Sequence, residues 1–70
     1  MRGRPVRLTP RQMEVLQWVA LGKSDWEIGR VLGLSESTVH KHVEAAKRNF
    51  SVGTRTQAIV AALRQGSIQI

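Results

Sequence analysis

The spacing of apolar residues in the middle of the chain constrains its fold more than any other feature. Apolar side chains recur at Val39, Val43, Ala46 and Phe50, at offsets of four, seven and eleven positions. At about 100° per residue, these offsets place all four on one narrow stripe of a helix. Such a stripe must be buried, and Ser35 just before it is a suitable N-cap. The sequence therefore predicts a long helix packed against a core.

A shorter helix is predicted just upstream. Ser24, followed three positions later by Glu27, matches the capping-box pattern, and Gly33 occupies a position where a left-handed residue ends a helix. These signals predict a two-turn helix over Asp25–Leu32, in which the small Gly29 lets the second helix approach. Its predicted apolar side consists of Ile28, Val31 and Leu32. A short helix, a tight turn and a long helix at this spacing are typical of DNA-binding helix-turn-helix units.

Two more helices complete a predicted all-α fold, a compact four-helix bundle. Capping boxes mark their starts, Thr9 with Gln12 and Thr54 with Gln57. The first is predicted to end near residue 21, and the fourth to extend from residue 55 to about residue 64. Residues 1–7 contain three arginines with Gly and Pro, which predicts a flexible basic arm or linker end. Residues 8–70 form the predicted domain, with residues 67–70 as a short tail.

The charge balance favours a polyanionic partner. Eleven Lys and Arg residues stand against five Asp and Glu residues, a formal net charge of +6, which suits nucleic acid. The absence of cysteine excludes disulfides and thiolate metal sites. No apolar run approaches the roughly 20 residues that span a bilayer, so we expect an intracellular chain.

No set of residues points to catalysis or to a metal. His40 and His42 are two positions apart and point about 200° from one another on a helix, so they cannot share an ion. The acidic residues Asp25, Glu27 and Glu36 lie near helix starts, where negative charge is favourable. We therefore expect no cofactor, no metal and no enzymatic activity.

Taken together, the motifs resemble one family. The chain is similar to the C-terminal helix-turn-helix domain of LuxR-type (LuxR/FixJ/GerE) transcription regulators, a family shared by quorum-sensing regulators and many response regulators. The matching segments are Leu8–Arg11, Glu14–Leu16, Gly22–Ser24, Glu27–Ile28, Leu32, Ser35, Thr38–Val39, His42, Val52 and Arg55–Ala58. Residues 23–29 and 55–58 look most like the quorum-sensing branch. The chain departs from the family pattern at Gln12, Ala46, Asn49 and Phe50.

The resemblance implies how such a domain meets DNA. In the family the third helix enters the major groove, the fourth pairs two copies, and the dimer reads a two-fold symmetric site. The implied base-reading residues are His40, Lys41 and Glu44, with His40 at the margin of the outward face. The predicted phosphate contacts are Lys23, Ser24, Ser35, Ser37, Thr38, Lys47 and Arg48. The alanine content of helix 4 predicts a dimer surface at Ala58, Ala61 and Ala62.

Two residues have competing interpretations. Arg55 starts a helix, where its charge opposes the helix dipole, so we predict an ion pair with a carboxylate such as Glu14 or Glu27 in preference to a DNA contact. Trp26 can pack at the edge of the core or lie against the sugar-phosphate backbone of DNA, and we favour packing.

The expected function is sequence-specific binding of duplex DNA by the output domain of a bacterial regulator. In this interpretation the full protein is cytoplasmic and nucleoid-associated, carries an N-terminal signal-sensing domain, and has RNA polymerase as a possible partner. One alternative is the output domain of a two-component response regulator. The other is an interaction module whose basic face meets an acidic protein.

Overall fold

The computed structural model describes residues 5–70, so residues 1–4 of the predicted arm lie outside the described part. The chain forms four helices: α1 (Pro10–Ala20), α2 (Asp25–Leu32), α3 (Glu36–Phe50) and α4 (Arg55–Arg64). The predicted all-α, four-helix architecture is confirmed. Helix α3 packs on each of the other three. Between residues 5 and 70 no helix is long and apolar enough to cross a membrane.

The helix starts follow the predicted capping chemistry. Thr9, Ser24 and Thr54 each close a capping box with the residue three positions later, and Ser35 caps α3 by accepting a hydrogen bond from the Thr38 amide. A cap of this kind contributes about 1 kcal/mol. Gly33 ends α2 in the left-handed region with φ of 72°. Ser51 ends α3 in the same region with φ of 57°, which the sequence did not indicate.

The core consists of two neighbouring clusters, and α3 contributes to both. One contains Val15, Ile28, Val39 and Val43, and the other contains Leu8, Leu16, Ala46, Ala62 and Ile68. The predicted α3 stripe is therefore confirmed, with Phe50 partly buried at its end. Val31 was predicted on the apolar side of α2, but it is 55% exposed. Because Ile28, Gly29 and Leu32 define the buried side, Val31 is turned about 100° away from it.

Glutamine side chains hold both ends of the described chain against the domain. Gln65 accepts from the Val6 amide at 2.9 Å and donates to the Val6 carbonyl at 2.7 Å. Gln17 pairs in the same two-point way with the backbone of Gln69. Ile68, between these anchors, is only 3% exposed. Thus Val6, which was assigned to the arm, and Ile68, which was assigned to the tail, both pack on the core.

The turn between α2 and α3 depends on a close backbone approach. A Cβ atom at Gly29 would lie 2.4 Å from the carbonyl oxygen of Leu34. The prediction that Gly29 permits a close approach is confirmed, and the approaching group is the turn itself. The Leu34 amide also donates to the Gly29 carbonyl at 2.9 Å, so α3 starts from a fixed point on α2.

Candidate nucleic-acid interface

The outer face of α3 lies opposite the buried stripe and carries the predicted base-reading residues. His40 and Lys41 are exposed, and Glu44 is half-buried. Since Val39, Val43 and Ala46 on the opposite side of the helix have no exposed surface, the core holds this face in place. It presents a cation, an imidazole and a carboxylate within little more than one helical turn.

The hydroxyl groups at the start of α3 are bonded to one another. Ser35 Oγ donates to Thr38 Oγ1 at 2.8 Å and accepts from the Thr38 amide at 3.0 Å. Thr38 Oγ1 accepts in this pair, so its own hydroxyl hydrogen is not used by it. Ser37, in the same turn, is exposed. This end of α3 therefore offers hydroxyl donors beside a positive helix terminus, an arrangement that suits a phosphate.

Three of the predicted DNA-contacting cations are exposed and unpaired. Within residues 5–70, no carboxylate forms a salt bridge with Lys23, Lys41 or Arg48. Ser24, next to Lys23, is occupied as the α2 N-cap by its bonds with Glu27 at 2.8 and 3.1 Å. The free charge near the α2 start is thus that of Lys23.

Lys47 differs from these three cations. Its ammonium group lies 3.0 Å from Glu44 Oε2 and 3.3 Å from Oε1, and its side chain is only 21% exposed. The hydrogen bond from Lys47 lowers the pKa of Glu44, so this carboxylate stays ionised. In the structure Lys47 is thus paired with Glu44, and its contact with a DNA phosphate remains a prediction.

Arg55 forms an ion pair, but its predicted partner was wrong. The guanidinium group makes two hydrogen bonds to Asp25, at 2.8 and 3.0 Å, and lowers the pKa of that carboxyl group. The expected partners are already engaged, because Glu14 pairs with Arg11 and Glu27 closes the α2 capping box. The ion pair joins the first residue of α2 to the first residue of α4.

A charge network connects this ion pair to the outer face of α3. His40 Nδ1 lies 3.8 Å from Asp25 Oδ2, and His40 Nε2 lies 3.9 Å from Glu44 Oε2. We use "charge network" for Arg55, Asp25, His40, Glu44 and Lys47. Sequence reasoning missed it, because its central link joins residues 30 positions apart.

Trp26 does not pack on the core. Its side chain is 57% exposed, and the guanidinium carbon of Arg30 lies 5.3 Å from the centre of a Trp26 ring. The favoured packing interpretation was therefore wrong. The i, i+4 spacing on α2 brings the two side chains together in a cation–π contact.

The predicted alanine surface of α4 faces inward. Ala58 and Ala62 have no exposed surface, so their side chains point into the domain. The prediction that these two residues contact a partner is corrected accordingly. Ala61 is half-buried and borders a shallow outer groove of about 340 Å³. Its lining residues are Val52, Thr56, Gln57, Val60, Ala61 and Arg64.

Comparison with known proteins identifies the family. Residues 6–62 match the family GerE, described as "Bacterial regulatory proteins, luxR family". The chain belongs to this family. The sequence-based resemblance is thus confirmed, and the LuxR-type domain described above is a DNA-binding domain of transcription regulators.

Individual relatives illustrate how LuxR-type domains occur in nature. Over 99% of its length, the chain is 43% identical to the HTH-type quorum sensing-dependent transcriptional regulator RpaR of Rhodopseudomonas palustris, of which it covers 30%. It spans about a quarter to a third of the curated relatives it matches first.

Solved structures of other proteins share this fold. The transcription factor GerE superimposes with a TM-score of 0.86 at 34% identity, covering 89% of this chain and 92% of GerE. The response regulator ChrA, of a heme-sensing two-component system, gives 0.83 at 34% identity and covers 96% of this chain and 33% of ChrA. The VqmA dimer of Vibrio cholerae, a LuxR-type receptor, gives 0.83 at 33% identity and covers 99% and 33%.

Proposed function

We propose that this LuxR-type domain reads a two-fold symmetric DNA site as a dimer, with α3 in the major groove and α4 pairing the two copies. The observation that carries the proposal is the outer face of α3, which combines polar side chains with the buried side chains of Val39, Val43 and Ala46 on the opposite side of the helix. A reading helix must be rigid to select bases, and burial provides that rigidity.

The residues of this interface differ in the DNA groups that they can bind. Lys41 can donate to guanine O6 or N7, and Glu44 can accept from cytosine N4, with His40 at the margin of the same face. The unpaired Lys23 and Arg48 suit phosphates, as do the hydroxyl groups of Ser35, Ser37 and Thr38. Phosphate contacts fix the register and supply salt-sensitive affinity, while base contacts supply selectivity.

Lys41→Ala and Lys23→Ala are expected to weaken DNA binding in different ways. Lys41→Ala should relax base preference at one position of each half-site by about 1–3 kcal/mol. Lys23→Ala should weaken binding to all duplexes evenly and reduce the salt slope by about one unit. Selection of bound duplexes from a random library, followed by salt titration of the preferred site, measures both effects.

The two variants serve as controls for each other, because each removes one exposed lysine and the same charge. Equal losses of affinity across all sequences in both variants would refute the division of tasks between Lys41 and Lys23.

Because Ala58 and Ala62 are buried, we place the dimer contact at the outer groove of α4. Val60 is 41% exposed, and the groove that it shares with Val52 and Ala61 is mostly apolar. An exposed apolar strip on the last helix suits an isologous contact with a second copy. Membership of a family that includes the VqmA dimer is consistent with this arrangement.

Val60→Glu is expected to weaken pairing without disturbing the fold, because it places a charge on each side of the two-fold contact. Affinity for a duplex with two half-sites should fall about 10- to 100-fold, while affinity for a single half-site changes little. Val31→Glu on α2 is the matched control, since Val31 is 55% exposed and the charge change is the same. Equal effects of both variants on the two-half-site duplex would contradict a dimer contact at Val60.

We further propose that the full protein belongs to the quorum-sensing branch and associates with the nucleoid in the bacterial cytoplasm. The similarity to RpaR supports this branch. The similarity to ChrA supports a response-regulator output domain as the second candidate. The domain encoded upstream decides between them, because a phospho-acceptor receiver domain there would favour the second.

A further inference from the structure

The Asp25–Arg55 ion pair spans two helices that do not otherwise meet. In the described chain, α2 and α4 do not pack on one another, and each packs on α3. The ion pair therefore crosses beside α3 as a direct polar link between their first turns. Its geometry is bidentate, at 2.8 and 3.0 Å, and the Asp25 side chain is only 14% exposed.

A bidentate arginine fixes more than the distance between two charges. Two parallel hydrogen bonds hold the carboxylate plane as well as its position. Asp25 Oδ2, held in this way, lies 3.8 Å from His40 Nδ1. On the other side of the ring, Glu44 Oε2 lies 3.9 Å from Nε2, and Lys47 holds Glu44. Both distances exceed a hydrogen bond but place one carboxylate oxygen beside each ring nitrogen.

We propose that Asp25 and Arg55 are positioning residues for base selection, because they set the place of the His40 imidazole on the reading face of α3. This inference rests on the proposed function and assigns to Asp25 and Arg55 a role that they exert through another side chain. Without the ion pair, Glu44 is the only carboxylate still held beside the His40 ring. The 58% exposed His40 side chain then samples more rotamers, and its preference for one base weakens.

The positions of Asp25 and Arg55 at helix starts explain why Arg55 requires Asp25 as its partner. A negative charge at the first residue of α2 is favourable, and a positive charge at the first residue of α4 is unfavourable. Arg55 is thus placed against the helix dipole and is stabilised by Asp25. If Arg55 served only to start α4, a polar or acidic residue would suit that position better.

The test compares base preference with stability in the full chain. Half-site duplexes that differ by single base pairs compete for binding to the wild type and to three variants, Arg55→Lys, Asp25→Asn and His40→Ala. Urea unfolding measures the stability of each of these proteins. Arg55→Lys retains the positive charge but loses the two-point geometry. It is therefore the milder substitution, and it provides the test if Asp25→Asn fails to fold. Lys41→Ala reports on a neighbouring reader outside the charge network.

Arg55→Lys and Asp25→Asn should lower discrimination about fivefold at the base-pair position where His40→Ala also lowers it. Discrimination at the Lys41 position should not change. Adding Arg55→Lys to His40→Ala should cause no further loss of discrimination, because Arg55 acts only through the His40 side chain.

A uniform loss of affinity in proportion to lost stability, with base preference intact at every position, would overturn the positioning role. So would fully additive effects of Arg55→Lys and His40→Ala. A wild-type chain that binds all duplexes alike would instead refute the proposed function, and the inference with it.

Discussion

Gly29→Ala is expected to destabilise the domain, although alanine is normally the better helix former by about 1 kcal/mol. The new Cβ would lie 2.4 Å from the Leu34 carbonyl oxygen, well inside van der Waals contact. That oxygen belongs to the backbone and cannot rotate away as a side chain would. We expect a net loss of about 1–3 kcal/mol in the free energy of unfolding, measured by urea or thermal unfolding.

Gly53→Ala is the matched control. The closest atom to a Cβ at Gly53 is the side-chain Gln57 Oε1 at 3.7 Å, an ordinary contact, and only Gly22, Gly33 and Gly66 have positive φ among the described glycines. This substitution should be neutral or stabilise by up to about 1 kcal/mol through the unfolded chain. Similar destabilisation by both substitutions would show that the close approach at Gly29 is not the cause.

Gly29→Ala should also weaken DNA binding. The Leu34 amide is bonded to the Gly29 carbonyl, so a displaced turn moves the first turn of α3. The hydroxyl groups of Ser35 and Thr38 lie in that turn and would move with it. At a temperature where Gly29→Ala is still folded, affinity for the preferred site should therefore fall.

The helix starts were predictable because their signals are local. Thr9, Ser24, Ser35 and Thr54 bond to amides three positions away, so neighbouring residues in the sequence contain the whole interaction. The α3 stripe was predictable for the same reason, since helical periodicity determines which side chains share a face.

The features that were missed depend on packing between distant segments. Arg55 could have reached several carboxylates, and only the fold shows that Glu14 and Glu27 are engaged elsewhere while Asp25 is near. The inward direction of Ala58 and Ala62 is equally hidden, because a short apolar helix shows more than one apolar face and only its neighbours select between them. The base-reading roles of His40, Lys41 and Glu44 remain predictions that DNA selection can test.

The burial of Ile68 leads to the second large prediction. Ile68→Ala should lower the free energy of unfolding by about 2–5 kcal/mol, as expected for truncation of a buried isoleucine. A domain of 70 residues has a total stability of only about 4–10 kcal/mol. The variant should therefore be partly unfolded at moderate temperature, which circular dichroism during heating would reveal.

Ile70→Ala is the matched control, because it is the same substitution two residues away. Ile70 is 85% exposed, against 3% for Ile68, so its truncation should change stability by less than about 0.5 kcal/mol. Ile68 fills a cluster with Leu16, Ala46 and Ala62, and thus connects the end of the chain to α1, α3 and α4. If both variants unfold alike, the segment after α4 is not part of the core. A large effect at Ile68 alone would show that this segment supports α3 from beneath, on the side opposite its outer face.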